Sequence, residues 1–154
     1  MQQLNFPSYS FRFKNIGDKA SVFDEIRRKF VILTPEEWVR QHVVRFLLEQ
    51  KSYPKSLINV EKLLKINGIV KRYDVVVFNS DGSINILIEC KAPEVKISQA
   101  TFDQIARYNM TMQSEFLMVT NGHTHYFCKM DYNNERYEFL AQLPDYSRCN
   151  PLAV

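Results

Sequence analysis

The apolar positions change period twice after residue 34. Thr34-Pro35-Glu36-Glu37 opens a stretch in which Val39, Val43, Phe46 and Leu47 recur at helical spacing, with Trp38 and His42 along the edge of the stripe. Thr34 suits an N-cap, Pro35 the first helical position and Glu37 the partner of a capping box, so the pattern predicts a helix to about Gln50 with one face buried. Three β-rich runs follow, at 58–66, 69–78 and 84–91, separated by Asn67-Gly68 and by Asn79-Ser80-Asp81-Gly82-Ser83. Asn-Gly and Asp-Gly between such runs are hairpin signals, which predicts a three-stranded antiparallel meander. Ser98 caps a second helical stretch to Met112, with Phe102, Ile105, Tyr108 and Met112 at compatible spacing. Strands are predicted at 116–120, 124–130 and 136–140, and upstream only 11–14 and 30–33 read as short strands. The order α-β-β-β-α-β, continued by two more strands, describes an α/β (α+β) fold with a central mixed sheet flanked by helices.

Composition narrows the class without naming a partner. The 154 residues suit a single domain whose core covers about 20 to 142, with 1–19 and 143–154 peripheral. The formal charge of +3 does not by itself imply nucleic acid, although Arg27-Arg28-Lys29 and Lys71-Arg72 are clusters that suit phosphates. No stretch approaches membrane-spanning length and the N-terminus lacks a leader pattern, so the reading is cytoplasmic, with no membrane partner. Cys90, Cys128 and Cys149 form neither a disulfide framework nor a zinc pattern, which suits a reducing compartment.

The candidate chemistry comes from register. A two-residue Asp81-Gly82 turn sets Ser80 opposite Ser83 and, counting outward, Asp74 opposite Glu89. Opposed residues have Cβ atoms about 4.5–5.5 Å apart and share a face. Alternation then adds Lys91 to that face and turns Cys90 inward with Ile86 and Ile88. Two carboxylates within apolar runs need compensation, and Mg²⁺, with Mn²⁺ as an alternative, would supply it through Asp74, Glu89 and the backbone carbonyl of Cys90. Lys91 would then orient a water and steady charge developing on a phosphate. A salt-bridge cluster on a solvated face explains the same residues without chemistry.

These residues resemble the PD-(D/E)xK nucleases, whose signature is an acidic residue on one strand and (D/E)-x-K on the next: here Asp74 and Glu89-Cys90-Lys91. The closer resemblance is to the N-terminal nuclease domain of the restriction subunit of type I restriction enzymes. It runs through Thr34-Pro35-Glu36-Glu37-Trp38-Val39-Arg40-Gln41, Lys71-Arg72-Tyr73-Asp74, Ile88-Glu89-Cys90-Lys91-Ala92-Pro93 and Gln104-Ile105-Ala106-Arg107-Tyr108-Asn109. The resemblance implies a restriction-endonuclease-like core and a metal-dependent DNA endonuclease with Asp74, Glu89 and Lys91 as catalytic residues. It also implies that Gln104 and Tyr108, four apart on one helical face, support the site and contact DNA. An acidic residue from the first helix is implied too; Glu37 is matched to it, with its capping role and the neighbouring Glu36 as alternatives. Tyr73 stands where the superfamily's proline would be, and that proline is not a ligand.

The implied partners are DNA and, because the sequence contains no phosphate-loop motif, a separate motor or specificity protein. Cutting both strands of a duplex would call for a homodimer, although no interface patch is readable. A non-catalytic nucleic-acid- or partner-binding module on the same fold is the alternative function. His42, His123 and His125 read as structural, because no third ligand stands at metal-binding spacing.

Overall fold

The computed structural model describes residues 1–146; Cys149 and the rest of 147–154, part of the C-terminal segment expected to be peripheral, lie outside the described residues. The first element is a small antiparallel sheet of β1 (Phe13–Ile16), β2 (Lys19–Asp24) and β3 (Lys29–Ile32), in that order. The runs at 11–14 and 30–33 correspond to β1 and β3, whereas β2 was not anticipated. Its signal is Ile16-Gly17-Asp18-Lys19: Ile16 pairs with Lys19, and Gly17 takes the positive φ of +62° that this tight turn requires.

Helix α1 (Pro35–Arg45) starts as its sequence dictates, with the Glu37 amide donating to the Thr34 hydroxyl at 3.0 Å. A π-helical turn, Phe46–Gln50, carries helical backbone to the expected end. The capping box is only half made, because the Glu37 carboxylate accepts hydrogen bonds from Arg27 and Arg40 instead of turning back to the cap.

The meander forms as β4 (Ile58–Ile66), β5 (Ile69–Phe78) and β6 (Ile84–Cys90). Helix α2 (Gln99–Asn109), capped by Ser98, carries the chain across the sheet. β7 (Phe116–Thr120) can therefore lie parallel to β6, and β8 (His125–Asp131) and β9 (Arg136–Leu140) finish the six-stranded mixed sheet antiparallel. Every residue of β6 and β7 is buried, as expected of strands covered on both faces. Val75, Val77, Ile86, Ile88 and Cys90 pack with Trp38, Val39 and Val43 of α1, whereas Val76, Leu87, Leu117 and Val119 pack with Phe102 and Ala106 of α2. The layers are helix, sheet, helix.

The ends of the chain contribute to these layers. Leu4 and Leu143, in the segments expected to be peripheral, are buried in the α1-side core. The N-terminal arm is held by Asn5 N–H donating to Gly122 O (2.8 Å) and Trp38 Nε1–H donating to Gln2 O (2.7 Å). The Asn5 carbonyl can only accept, so His125 Nε2–H donates to it at 2.7 Å and Nδ1 of the neutral ring accepts from the Thr120 hydroxyl, whose oxygen also accepts the Gly122 amide. His123 meets Gln2, and His42 is buried against Phe6 and Phe11, so all three histidines serve the arm's attachment. Gly122 has φ +89°, and a Cβ there would lie 2.9 Å from the Leu4 side chain, so the Asn121-Gly122 turn admits only glycine. Among the described residues no helix is long and apolar enough to cross a membrane.

Candidate functional site

Register between β5 and β6 is as the turn arithmetic expected, for a different reason. The loop holds three residues rather than two: Asn79 N–H donates to Ser83 O (2.8 Å), and Gly82 takes φ +87°. An extra residue, Asn85, then bulges on β6 between the Phe78↔Ile84 and Val77↔Ile86 pairs and restores the count, so that Val75 faces Ile88. Asp74 and Glu89 are the next positions outward.

Those two carboxylates nevertheless find partners on opposite sides of the sheet. Tyr73 packs in the α2-side core and Val75 in the α1-side core, although residues two apart on a regular strand share a face. The alternation slips at Asp74. Across from it, Glu61 of β4 has φ +52°, and the ladder omits this one pair between Val60↔Val75 and Lys62↔Tyr73. Freed from the pleat, the Asp74 carboxylate accepts from Arg40 of α1 (2.8 Å) and from the Cys90 amide (2.8 Å), capping the point where β5 and β6 part. The expected shared face is thus replaced by a hinge in the hairpin, a feature that strict alternation cannot represent.

On the α1 side an ion-pair chain ends at Asp74. Arg27 bridges Asp24 (2.8 Å) and Glu37 (2.8 Å); Arg40 bridges Glu37 (2.7 Å) and Asp74. Burial works against the Arg40 charge, but its hydrogen bond to Asp74 and the charges of Glu37 and Asp74 outweigh that and hold its pKa above the ordinary arginine value. Glu37 is therefore a buried link in this chain. The helix carboxylate beside Asp74 is Glu36, which is 48% exposed. Partial burial, then the negative charge of Asp74 and a hydrogen bond to it, raise its pKa above the ordinary glutamate value, with Arg40 and Lys91 pulling the other way. Lys91 follows β6 directly; its amide donates to Thr120 O (2.8 Å), while among the described residues its ammonium makes no hydrogen bond or ion pair.

On the α2 side the buried Glu89 carboxylate is paired with Lys71. The Lys71 ammonium lies 4.8 Å from the Tyr73 ring centroid and 5.0 Å from that of Tyr108. Tyr73 donates its hydroxyl to Asn109 Oδ1, and Asn109 donates to Ile105 O, which ties the end of α2 to β5. Tyr108 is 51% exposed, so it is not a core aromatic, and Gln104 is exposed one turn earlier on the same helix. Sequence reading missed two members of this arrangement, Arg40 and Lys71. Arg40 follows Glu36 by four residues, a helical pairing signal, whereas Lys71 had only its place in a basic dipeptide and in the Lys71-Arg72-Tyr73-Asp74 stretch that carries the resemblance.

The remaining reactive groups are closed off. Burial pushes the Cys90 thiol well above its usual range, with the charge of Asp74 adding to the effect, and pushes Cys128 up to about 12. A cleft of about 760 Å³ lies at the other end of β6 between Asn79, Glu115, Lys129 and Arg136 and includes none of the expected site residues.

Comparison with known proteins gives two findings. The family described as type I restriction enzyme R protein N terminus matches residues 35–144, more than half of the chain. Among solved structures, a fragment assigned as an HsdR subunit of a type I restriction enzyme from Vibrio vulnificus matches with a TM-score of 0.48 and 20% identity over 73% of this chain and 24% of that one. This chain spans about a quarter of that structure's length. No curated protein matches.

Proposed function

Since the chain belongs to the family of type I restriction enzyme R protein N termini, we propose that it is a metal-dependent DNA endonuclease domain with a restriction-endonuclease-like, PD-(D/E)xK core, acting in the cytoplasm. The observation that carries this reading is the unpaired ammonium of Lys91, which directly follows β6 and whose charge is felt by Glu36, the carboxyl group that neighbours Asp74. A free cation next to paired carboxylates at the splayed end of two strands suits a phosphodiester better than it suits a stability role. DNA is the proposed substrate. A separate motor or specificity protein and a second copy of the chain are its proposed partners.

The donor chemistry fits Mg²⁺ or Mn²⁺ in kind: the oxygens of Asp74 and Glu89 and the carbonyl of Cys90 are hard ligands. As arranged, Asp74 turns toward α1 and Glu89 toward α2, each balanced by a protein cation, Arg40 or Lys71, and among the described residues no three His, Cys, Asp or Glu side chains gather to hold an ion, so joint ligation requires both ion pairs to open. When bound, such an ion would polarise the phosphate and lower the pKa of a water. Lys91 would hold that water and steady charge on the phosphate, Glu36 with its raised pKa would keep or release a proton beside it, and Tyr108 and Gln104 would meet the strand from α2.

The test is plasmid nicking in Mg²⁺, Mn²⁺ and EDTA, with calorimetric titration of Mn²⁺ into the wild type and Asp74→Ala. Metal-dependent nicking with binding lost in the variant is expected; neither nicking nor binding in the wild type would leave the second reading, a non-catalytic DNA- or partner-binding module. That reading has one observation of its own, the internal neutralisation of both carboxylates. Lys71 separates the two. Lys71→Met removes the competing charge from Glu89, so Mn²⁺ affinity is expected to rise by about tenfold, equivalent to roughly 1.4 kcal/mol. An unchanged affinity in this variant would mean that Glu89 is not a ligand.

A further inference from the structure

We propose that the outer face of the β1–β3 sheet is a DNA contact surface, gripping the sugar–phosphate backbone through Arg12, Lys14 and Lys19. This sheet precedes residue 35 and so lies outside the segment that the family model matches.

The two faces of the sheet differ in kind. Val22 is fully buried on the inner one, and Asp24 accepts from Gln41 of α1. On the outer face Phe23 and Phe30 stand opposite each other with ring centroids 5.2 Å apart. The Arg12 guanidinium lies 4.6 Å from the Phe23 centroid and 5.6 Å from that of Phe30, and the Lys14 ammonium lies 4.3 Å from Phe30. The turn brings Lys19 opposite Ile16 at the end of the same face. What meets solvent is therefore a cationic layer resting on an aromatic one.

That charge is uncompensated. Among the described residues Arg12, Lys14, Lys19, Arg28 and Lys29 make no ion pair; Asp24 is held by Arg27 and Glu25 by Arg45 and Lys55, which leaves Asp18, exposed at the turn beside Lys19, as the one unpaired acid of the sheet. A sheet on which unpaired cations outnumber the unpaired acid in this way complements a polyanion. Arg12, just ahead of β1 where its carbonyl accepts the Phe23 amide, and Lys14 within it are two residues apart in extended chain, roughly 6.6–6.8 Å, a repeat suited to a chain of phosphates. Stacking on the rings already orders their heads, which lowers the entropic cost of engaging a ligand. The rings themselves are covered, so the face offers charge rather than an open surface for bases, and it should grip DNA without regard to sequence. The ion-pair chain from Asp24 through Arg27, Glu37 and Arg40 to Asp74 fixes the inner side of the sheet to the candidate site.

The inference shares only the DNA partner with the proposed function, and binding measured in EDTA separates them. The anisotropy of a short fluorescein-labelled duplex is titrated across a salt series with the wild type, with Arg12→Gln/Lys14→Gln/Lys19→Gln, and with Lys129→Gln, on β8 beside Glu115, as a control cation. The triple variant is expected to lose on the order of tenfold or more in affinity at low salt. Its slope of log affinity against log salt should be shallower by roughly 2–3, about 0.9 per lost phosphate contact. Lys19→Gln alone, at an exposed position, should shift the slope by about one such step, which guards against misfolding of the triple variant. An unchanged slope in the triple variant, an equal shift in Lys129→Gln, or a wild type that binds phosphatidylserine vesicles but no DNA would overturn the proposal. Mn²⁺ titration without DNA tests the catalytic reading on its own.

Discussion

Lys91→Ala is expected to lower plasmid cleavage by about 10²–10⁴-fold, the usual worth of a positioned acid–base or electrostatic group. The melting temperature should move by no more than about 1–2 °C, because the side chain makes no ion pair or hydrogen bond whose loss would be felt. The amide that bonds Thr120 O is retained in alanine, so the end of β6 stays in place. Mn²⁺ binding should survive, since Lys91 is not a ligand in the proposed site. The contrast is the informative part: a structural lysine would cost stability and spare cleavage, whereas this one should spare stability and cost cleavage. Wild-type nicking by a folded Lys91→Ala protein would remove the centre of the catalytic reading. Lys91→Arg, which keeps the charge but changes its shape, should recover only part of the rate.

Arg40→Met should produce the largest loss of stability. The guanidinium is 8% exposed and holds Glu37 at 2.7 Å and Asp74 at 2.8 Å, with Glu36 and Glu61 within reach at 3.5 and 3.7 Å. Methionine preserves most of the volume but leaves buried negative charge without its cation, and breaking such a pair from one side costs about 3–5 kcal/mol. For a chain of this size that corresponds to a fall in melting temperature on the order of 10 °C. Asp74 also loses the contact that fixes it at the parting of β5 and β6, so cleavage should fall with stability. Adding Glu37→Gln to Arg40→Met should return part of the stability by removing one of the stranded charges. If denaturant unfolding gives the single and double variants equal stability, the chain of ion pairs from Asp24 to Asp74 is not a coupled unit.

The helical spacing of Val39, Val43 and Leu47, the Thr34 and Ser98 caps, and the Asn-Gly and Asp-Gly turns are local signals. They were sufficient for both helices and for the six strands of the large sheet, because capping and turn formation depend on residues within a few positions of each other. Lys91 was legible as a site candidate from strand alternation as well as resemblance, Tyr108 through resemblance alone. β2 was overlooked because its strand alternates weakly, although the Gly17-Asp18 turn marked it.

The rest was decided in three dimensions. The three-residue loop and the Asn85 bulge cancel in register, and neither is visible to a count that assumes the shortest turn. The slip at Glu61 and Asp74 rotates one carboxylate toward α1 and leaves the other toward α2, so Asp74 is neutralised by Arg40 of α1, 34 residues away, and Glu89 by Lys71 of the neighbouring strand. The choice between Glu36 and Glu37 follows from the same cause: Arg27, ten residues upstream, claims Glu37 for a buried network and leaves Glu36 beside Asp74 and Lys91. Caps, turns and periodicity are properties of short segments and are written in the sequence. Which charge neutralises which depends on distances between segments, and these are fixed only when the sheet and its two helices close on one another.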